Sequence, residues 1–123
     1  MIKKPVIGLM LGDVTGIGPE VAVRLLERIK NHQSTRVVIV GDLRVLKVGM
    51  EDSGITIDFH LAKDVDAIDW TKTGFPLIDL QNVDPATIVR GATSIESGRL
   101  CGETLKVMTD WAHAGKLDAI CFA

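Results

Sequence analysis

The sequence carries no excess of basic residues: 14 lysines and arginines stand against 16 aspartates and glutamates, for a formal net charge of −2. With no basic cluster, it lacks the electrostatic footprint of a nucleic-acid or anionic-membrane binder, so small molecules or proteins are the expected partners. It also lacks any long hydrophobic run. The apolar stretches reach roughly eight residues, against the ~20 that cross a bilayer. The N-terminal MIKKPVIGLML meets Gly12 and Asp13 before it can become the apolar region of a signal peptide, which reads as cytoplasmic. There are 2 cysteines, Cys101 and Cys121, both inside apolar patterns without metal-type spacing, so small buried thiols are expected rather than a disulfide or a reactive site. The 3 histidines, His32, His60 and His113, form no pair at helical ligand spacing. The residues themselves thus nominate no metal ligand and no catalytic base. Linkers, repeats and low-complexity tracts are absent as well, so residues 1–123 are expected to form a single unit.

What is present is a regular alternation of apolar runs. Pro5–Leu11, Arg36–Gly41 and Leu117–Ala123 are nearly continuous, the pattern of parallel strands buried on both faces. Gly54–Leu61 alternates, and Phe75–Leu80 carries a proline, so these two read as half-exposed or edge strands. Helical periodicity lies between the strands. Pro19–His32 places Val21, Leu25, Leu26 and Ile29 on one face, and Thr93–Lys116 does the same with Cys101, Leu105, Met108 and Ala112. The second helix starts with a Thr93-x-x-Glu96 capping box and stops at Gly115. On it, Gly98 and Gly102 stand four apart and would let another element approach. Strands alternating with helices predict an α/β fold, a three-layer α/β/α arrangement with a mostly parallel sheet. Leu117–Ala123 reads as a central strand, and association through residues 93–123 is expected from its uncovered edge.

The stretch LGDVTGIGPEV joins the first strand to the first helix. Gly12, Gly16 and Gly18 permit positive φ and close approach, and Pro19 suits the first helical position. In an open parallel sheet such a turn lies at the carboxyl edge, where ligands bind. Yet the spacing matches neither a P-loop nor a dinucleotide fingerprint, and Glu20 brings its own charge to the helix start. A tight turn capped by its own carboxylates is the plainer reading. Asp42, after the second strand, is either an N-cap for Leu43–Glu51 or a ribose-binding carboxylate, with the cap preferred.

GDVTGIGPEV resembles the Gly-Asp-Pro-Ala-Gly-Ile-Gly-Pro-Glu signature of the 4-hydroxythreonine-4-phosphate dehydrogenase family. More distantly it is similar to the Gly-Asp-Gly-Ile-Gly-Pro-Glu loop of isopropylmalate and isocitrate dehydrogenases. Arg90–Ala123, with its Gly, Ser, Gly, long helix and Asp-Ala-Ile strand, resembles a second segment of the family in the right order. Two positions depart from the pattern: Val14 stands at the usual proline, and Phe122 at a usually small strand-end residue. The resemblance implies the N-terminal portion of a longer enzyme, family members running to roughly 330 residues, the scale of two domains. It implies oxidation and decarboxylation of a phosphorylated hydroxy acid, such as 4-phosphohydroxythreonine or a threonate or erythronate phosphate, in pyridoxine biosynthesis or a related route. It further implies NAD or NADP as cofactor, bound with the help of Gly12, Asp13, Gly16 and Gly18, and a homodimer. A divalent metal (zinc, magnesium or cobalt) belongs to the family, with ligands in its later part, so the chain alone is expected to be inactive. An autonomous nucleotide- or phosphate-binding module built on the Gly12–Gly18 loop is the alternative.

Overall fold

The computed structural model describes residues 3–123. Its elements alternate along the chain: β1 (Val6–Met10), α1 (Gly18–Ile29), β2 (Arg36–Gly41), α2 (Leu43–Ser53), β3 (Phe59–Leu61), β4 (Phe75–Asp79), α3 (Ile95–His113) and β5 (Ala119–Phe122). The five strands form one sheet in the order β3-β4-β2-β1-β5, and every pairing is parallel. In a parallel sheet covered on both sides, alternate residues of each strand feed two separate cores. Leu9, Ile39 and Leu77, neighbours in register, point to the side closed by Ala22, Val23 and Leu26 of α1 and Val45 and Leu46 of α2. Met10, Val38, Val40 and Ile78 point to the other side, against Met108 of α3, Leu117 and the crossing segment with Val65 and Ile68. The predicted α/β/α layering is the one observed.

β5 pairs with β1 alone, which leaves the uncovered strand edge expected within these residues. β4, with its proline, reads from sequence as a half-exposed or edge strand and instead lies inside, between β3 and β2. Pro76 is tolerated because the pairing of β4 with β2 begins only at Leu77, so the missing N–H falls before that ladder, and Phe75 N–H donates to Asp58 O on the other side.

The helix faces are also turned from expectation. On α1 the buried positions are Pro19, Ala22, Val23 and Leu26, a clean i, i+3, i+4, i+7 set, while Val21 and Leu25 are 43% and 37% exposed. The buried Gly18-Pro19 entry sets this rotation, because the helix leaves the loop with its first turn already inside the core. On α3 the buried residues are Ser97, Leu100, Thr104 and Met108, so two polar residues occupy the inner face that the pattern assigned to Cys101 and Leu105. Cys101 and Cys121 are free and half-buried rather than buried. The N-cap of α3 is Ser94, not Thr93: its hydroxyl oxygen accepts from Ser97 N–H at 3.0 Å, while Glu96 turns to Arg99. Gly115, with φ of 77°, lies just past the helix end as expected.

The glycines on the helices differ in kind. Apart from the helix's own nearby backbone, no atom of the described residues lies within 4 Å of the space a Cβ would fill at Gly98 or Gly102, so no described element uses them for close approach. Gly49 on α2 does serve that purpose: a Cβ there would stand 2.4 Å from Pro19 O of α1. Gly49→Ala is therefore expected to force α1 and α2 apart and lower stability by more than ~1 kcal/mol. Gly98→Ala, on an exposed helical position, is expected to raise stability by about 0.5–1 kcal/mol. Urea midpoints of the two variants measure both effects, and equal responses would contradict the packing described.

Candidate functional site

Three adjacent strands run into an aspartate at the carboxyl edge: β1 into Asp13, β2 into Asp42 and β4 into Asp79. Each carboxylate turns back onto main-chain N–H groups. Asp79 Oδ1 accepts from Leu43 N–H at 3.0 Å and Gln81 N–H at 3.1 Å. Asp42, 1% exposed, accepts from Arg44 N–H at 2.9 Å and from Val83 N–H at 3.1 Å, and its oxygens take the Arg44 guanidinium. The preferred reading of Asp42 as the N-cap of α2 is the observed one. With both oxygens used inside the protein, it offers nothing to a ribose.

The glycine loop is built differently from expectation. Gly12 has φ of 82°, whereas Gly16 and Gly18 do not take positive φ. Gly18 is needed for room instead: a Cβ there would meet Leu11 O at 2.9 Å and Ala123 O at 3.1 Å. At Gly12 the Ala123 carbonyl would be 2.5 Å away, so the end of β5 presses on the loop. At Gly16 the nearest such atom is 3.7 Å away, an ordinary contact. Val14, where the related signature has proline, is 1% exposed and packs into the core under α1.

Asp13 organises the loop. Its Oδ1 accepts from Thr15 N–H at 2.8 Å, from the Thr15 hydroxyl at 2.7 Å and from the hydroxyl of Ser97 on α3. Its main-chain carbonyl accepts from Gly16 N–H at 3.0 Å. The segment ahead of α3 is tied down as well, through Gly91 N–H to Thr15 O at 2.7 Å and Arg90 to Asp52. Burial pushes the Asp13 carboxyl up, but the Ser97 and Thr15 donors outweigh it and hold the group below the usual carboxylate range. Glu20, expected to compete at the helix start, is drawn away to Arg24 at 2.9 Å.

Two amides that could cradle a phosphate, those of Thr15 and Gly16, are thus already spent on Asp13, and an ionised carboxylate stands at the mouth. This chemistry opposes an anion and suits a ligand that brings hydroxyl or amide donors. Of the residues singled out beforehand, Gly12, Asp13 and Gly18 come together in one rigid turn, while Gly16 stands exposed beside them. Thr15 and Ser97 complete the arrangement and escaped sequence reasoning, because a serine on a helix carries no signal of an inward role. Under the loop, Gly12, Asp42, Leu100 and Thr104 line a cavity of about 10 Å³, too small for any ligand. A recess of about 290 Å³ lined by Lys30, Thr56, Asp58 and Phe75 opens at the opposite, amino edge of the sheet. Among the described residues no three His, Cys, Asp or Glu side chains are grouped to hold a metal ion, and no helix is long and apolar enough to cross a membrane.

The buried carboxylate of Asp42 has a consequence for acid stability. Burial raises its pKa, and the hydrogen bonds from Arg44 and Val83 more than reverse this, leaving it below the usual value. A carboxyl whose pKa is lower folded than unfolded, where it is about 3.9, stabilises fully above that value and loses its contribution as pH falls through the folded pKa. Asp42→Asn is expected to lower stability at pH 7 by about 1–3 kcal/mol, through lost charge-assisted bonds, and to flatten the decline below about pH 4. Denaturant titrations from pH 2 to 7 measure this, and parallel pH profiles for the variant and the parent would contradict it.

No protein-family model matches the chain. Among curated proteins, one from Rhizobium meliloti (strain 1021), provisionally named 4-hydroxythreonine-4-phosphate dehydrogenase 2, is 36% identical over 98% of this chain and 34% of its own length. A protein of Clostridium botulinum (strain Hall), provisionally named D-threonate 4-phosphate dehydrogenase, is 31% identical over 96% of this chain and 35% of its own. Among solved structures, a 4-hydroxythreonine-4-phosphate dehydrogenase from Burkholderia phymatum matches with a TM-score of 0.85 and 27% identity, over 98% of this chain and 36% of that one. By sequence and by fold, the chain is a relative of the 4-hydroxythreonine-4-phosphate dehydrogenases and spans about one third of their length.

Proposed function

We propose that residues 1–123 act as the N-terminal third of an NAD(P)-linked dehydrogenase that oxidises and decarboxylates a phosphorylated hydroxy acid. The observation that supports this most is the placement of the one loop shared with the family signature. The Gly12–Gly18 turn stands at the carboxyl edge of a parallel sheet, braced by β5 on one side and α3 on the other. On this reading Gly12, Asp13, Gly16 and Gly18 face the cofactor. The residues fit its hydroxyl-bearing ribose better than its phosphates, because the loop presents a carboxylate and has spent the Thr15 and Gly16 amides on Asp13. When bound, a nicotinamide cofactor would accept the hydride from the substrate alcohol. A divalent metal would be held by residues outside this chain, and the chain's own part is to shape one wall of the cleft. Substrates in this class include 4-phosphohydroxythreonine and threonate or erythronate phosphates, and the working assembly is a homodimer in the cytoplasm. The autonomous phosphate-binding alternative has the loop chemistry against it.

A chimera tests the proposal. Residues 1–123 are exchanged for the matching third of the Rhizobium meliloti relative, and reduced nicotinamide is followed with 4-phosphohydroxythreonine and D-threonate 4-phosphate as substrates. The chimera is expected to turn over at least one of them and the isolated chain neither. A folded chimera that is inactive on both, beside an active parent, would contradict the proposal.

A further inference from the structure

The contact between Asp13 and Ser97 joins residues 84 positions apart in the chain, and it is the one side-chain hydrogen bond described between the glycine loop and α3. All three donors to the Asp13 carboxylate, the main-chain N–H and the hydroxyl of Thr15 and the hydroxyl of Ser97, converge on Oδ1. Among the described residues Oδ2 has no hydrogen-bond partner, although Asp13 is exposed while Thr15 and Ser97 are 8% and 2% exposed. A free aspartate would rotate about two side-chain bonds and share its oxygens between donors. Here one oxygen is pinned from beneath by two elements, which leaves the other aimed outward in one orientation.

We infer that Ser97 is a positioning residue: its hydroxyl, with Thr15, locks the Asp13 carboxylate so that Oδ2 is presented at the carboxyl edge as a fixed acceptor for the hydroxyls of a ribose. The ligand half of this inference rests on the cofactor reading above. An ionised carboxylate oxygen only accepts, so the group it recognises must bring donors, and a phosphate is repelled. Thr15 and Ser97 were bonded before any ligand arrives, so no ordering of Asp13 opposes binding. Ser97 lies on the first turn of α3, and the orientation of the acceptor therefore depends on how that helix docks rather than on the loop alone.

Two readouts on the 123-residue chain test this separately. In the first, the Asp13 side-chain carboxyl is titrated by carbon-13 NMR in the parent and in Ser97→Ala. Loss of the hydroxyl donor is expected to move the Asp13 midpoint upward. In the second, NAD and inorganic phosphate are each titrated while the amide signals of residues 12–18 are followed. NAD is expected to shift these signals in the parent, phosphate to leave them in place, and Ser97→Ala to weaken the NAD response by about tenfold, the scale of one charge-assisted hydrogen bond. Asp13→Asn keeps an oxygen for the three internal donors but turns the outer acceptor into a donor. It should remain folded with parental amide dispersion and lose the NAD response. An unchanged Asp13 midpoint and unchanged NAD response in Ser97→Ala would overturn the positioning role while leaving the cofactor reading intact. A shifted midpoint with no NAD response in the parent would overturn the ribose assignment and the cofactor reading together, and a response to phosphate equal to that of NAD would overturn the claim that the site selects donors.

Discussion

β1 is paired in parallel on both of its edges, with β2 on one side and β5 on the other, and the rest of the molecule follows from that constraint. Its main-chain groups are bonded in both directions, so its five residues must be apolar or small on both faces. Gly8 shows how tight this is: a Cβ there would come within 2.8 Å of Met108 and 2.9 Å of Leu117. Parallel pairing also forbids tight hairpins, so each connection crosses a face of the sheet and two cores arise instead of one. The loop that leaves β1 emerges between the ends of two flanking strands. It has to turn in the space that β5 leaves, and Gly12 and Gly18 stand where Ala123 O would meet any side chain.

That crowding explains why the carboxyl edge is acidic. A loop squeezed between neighbours cannot leave its amides to water, and the short side chain of aspartate is the local group that can reach back and satisfy them. Asp13, Asp42 and Asp79 each do so at the end of a different strand. Asp42 has no acceptor left to offer, since both its oxygens are taken by Arg44 and Val83, whereas Asp79 Oδ1 holds two main-chain amides. Asp13 differs in that a hydroxyl from a distant helix, Ser97 of α3, joins Thr15 on its Oδ1. The same device that closes the turn therefore leaves one carboxylate oxygen at the edge without an internal partner among the described residues.

Much of the architecture was legible in the sequence, and the exceptions are physically instructive. β1 and β2 were readable because burial on both faces leaves no polar alternation, and Asp42 was readable as a cap because it stands directly between a strand and a helix. β5 has the composition of a central strand and, among these residues, shows the uncovered edge expected of it. Pro76 misled: what matters is where its missing N–H would point, which depends on register. The faces of α1 and α3 were displaced because Gly18, Ser97 and Thr104 are buried without being hydrophobic. Positive φ was expected at three glycines and occurs at Gly12 alone, because Gly18 answers to the crowding by Leu11 O and Ala123 O and not to backbone strain. The Ser97 contact had no signal, for it depends on two segments meeting across 84 residues.

The central claim is that a doubly paired β1 delivers a closed, self-bonded turn to the carboxyl edge. Backbone amide hydrogen exchange, read residue by residue, tests it most directly. The account predicts the slowest exchange in β1 and β2, faster exchange in the edge strands β3 and β5, and protection of the Thr15 and Gly16 amides well above that of an open loop. Exchange of β1 at the rate of the edge strands, with Thr15 and Gly16 exchanging as freely as unstructured amides, would contradict it.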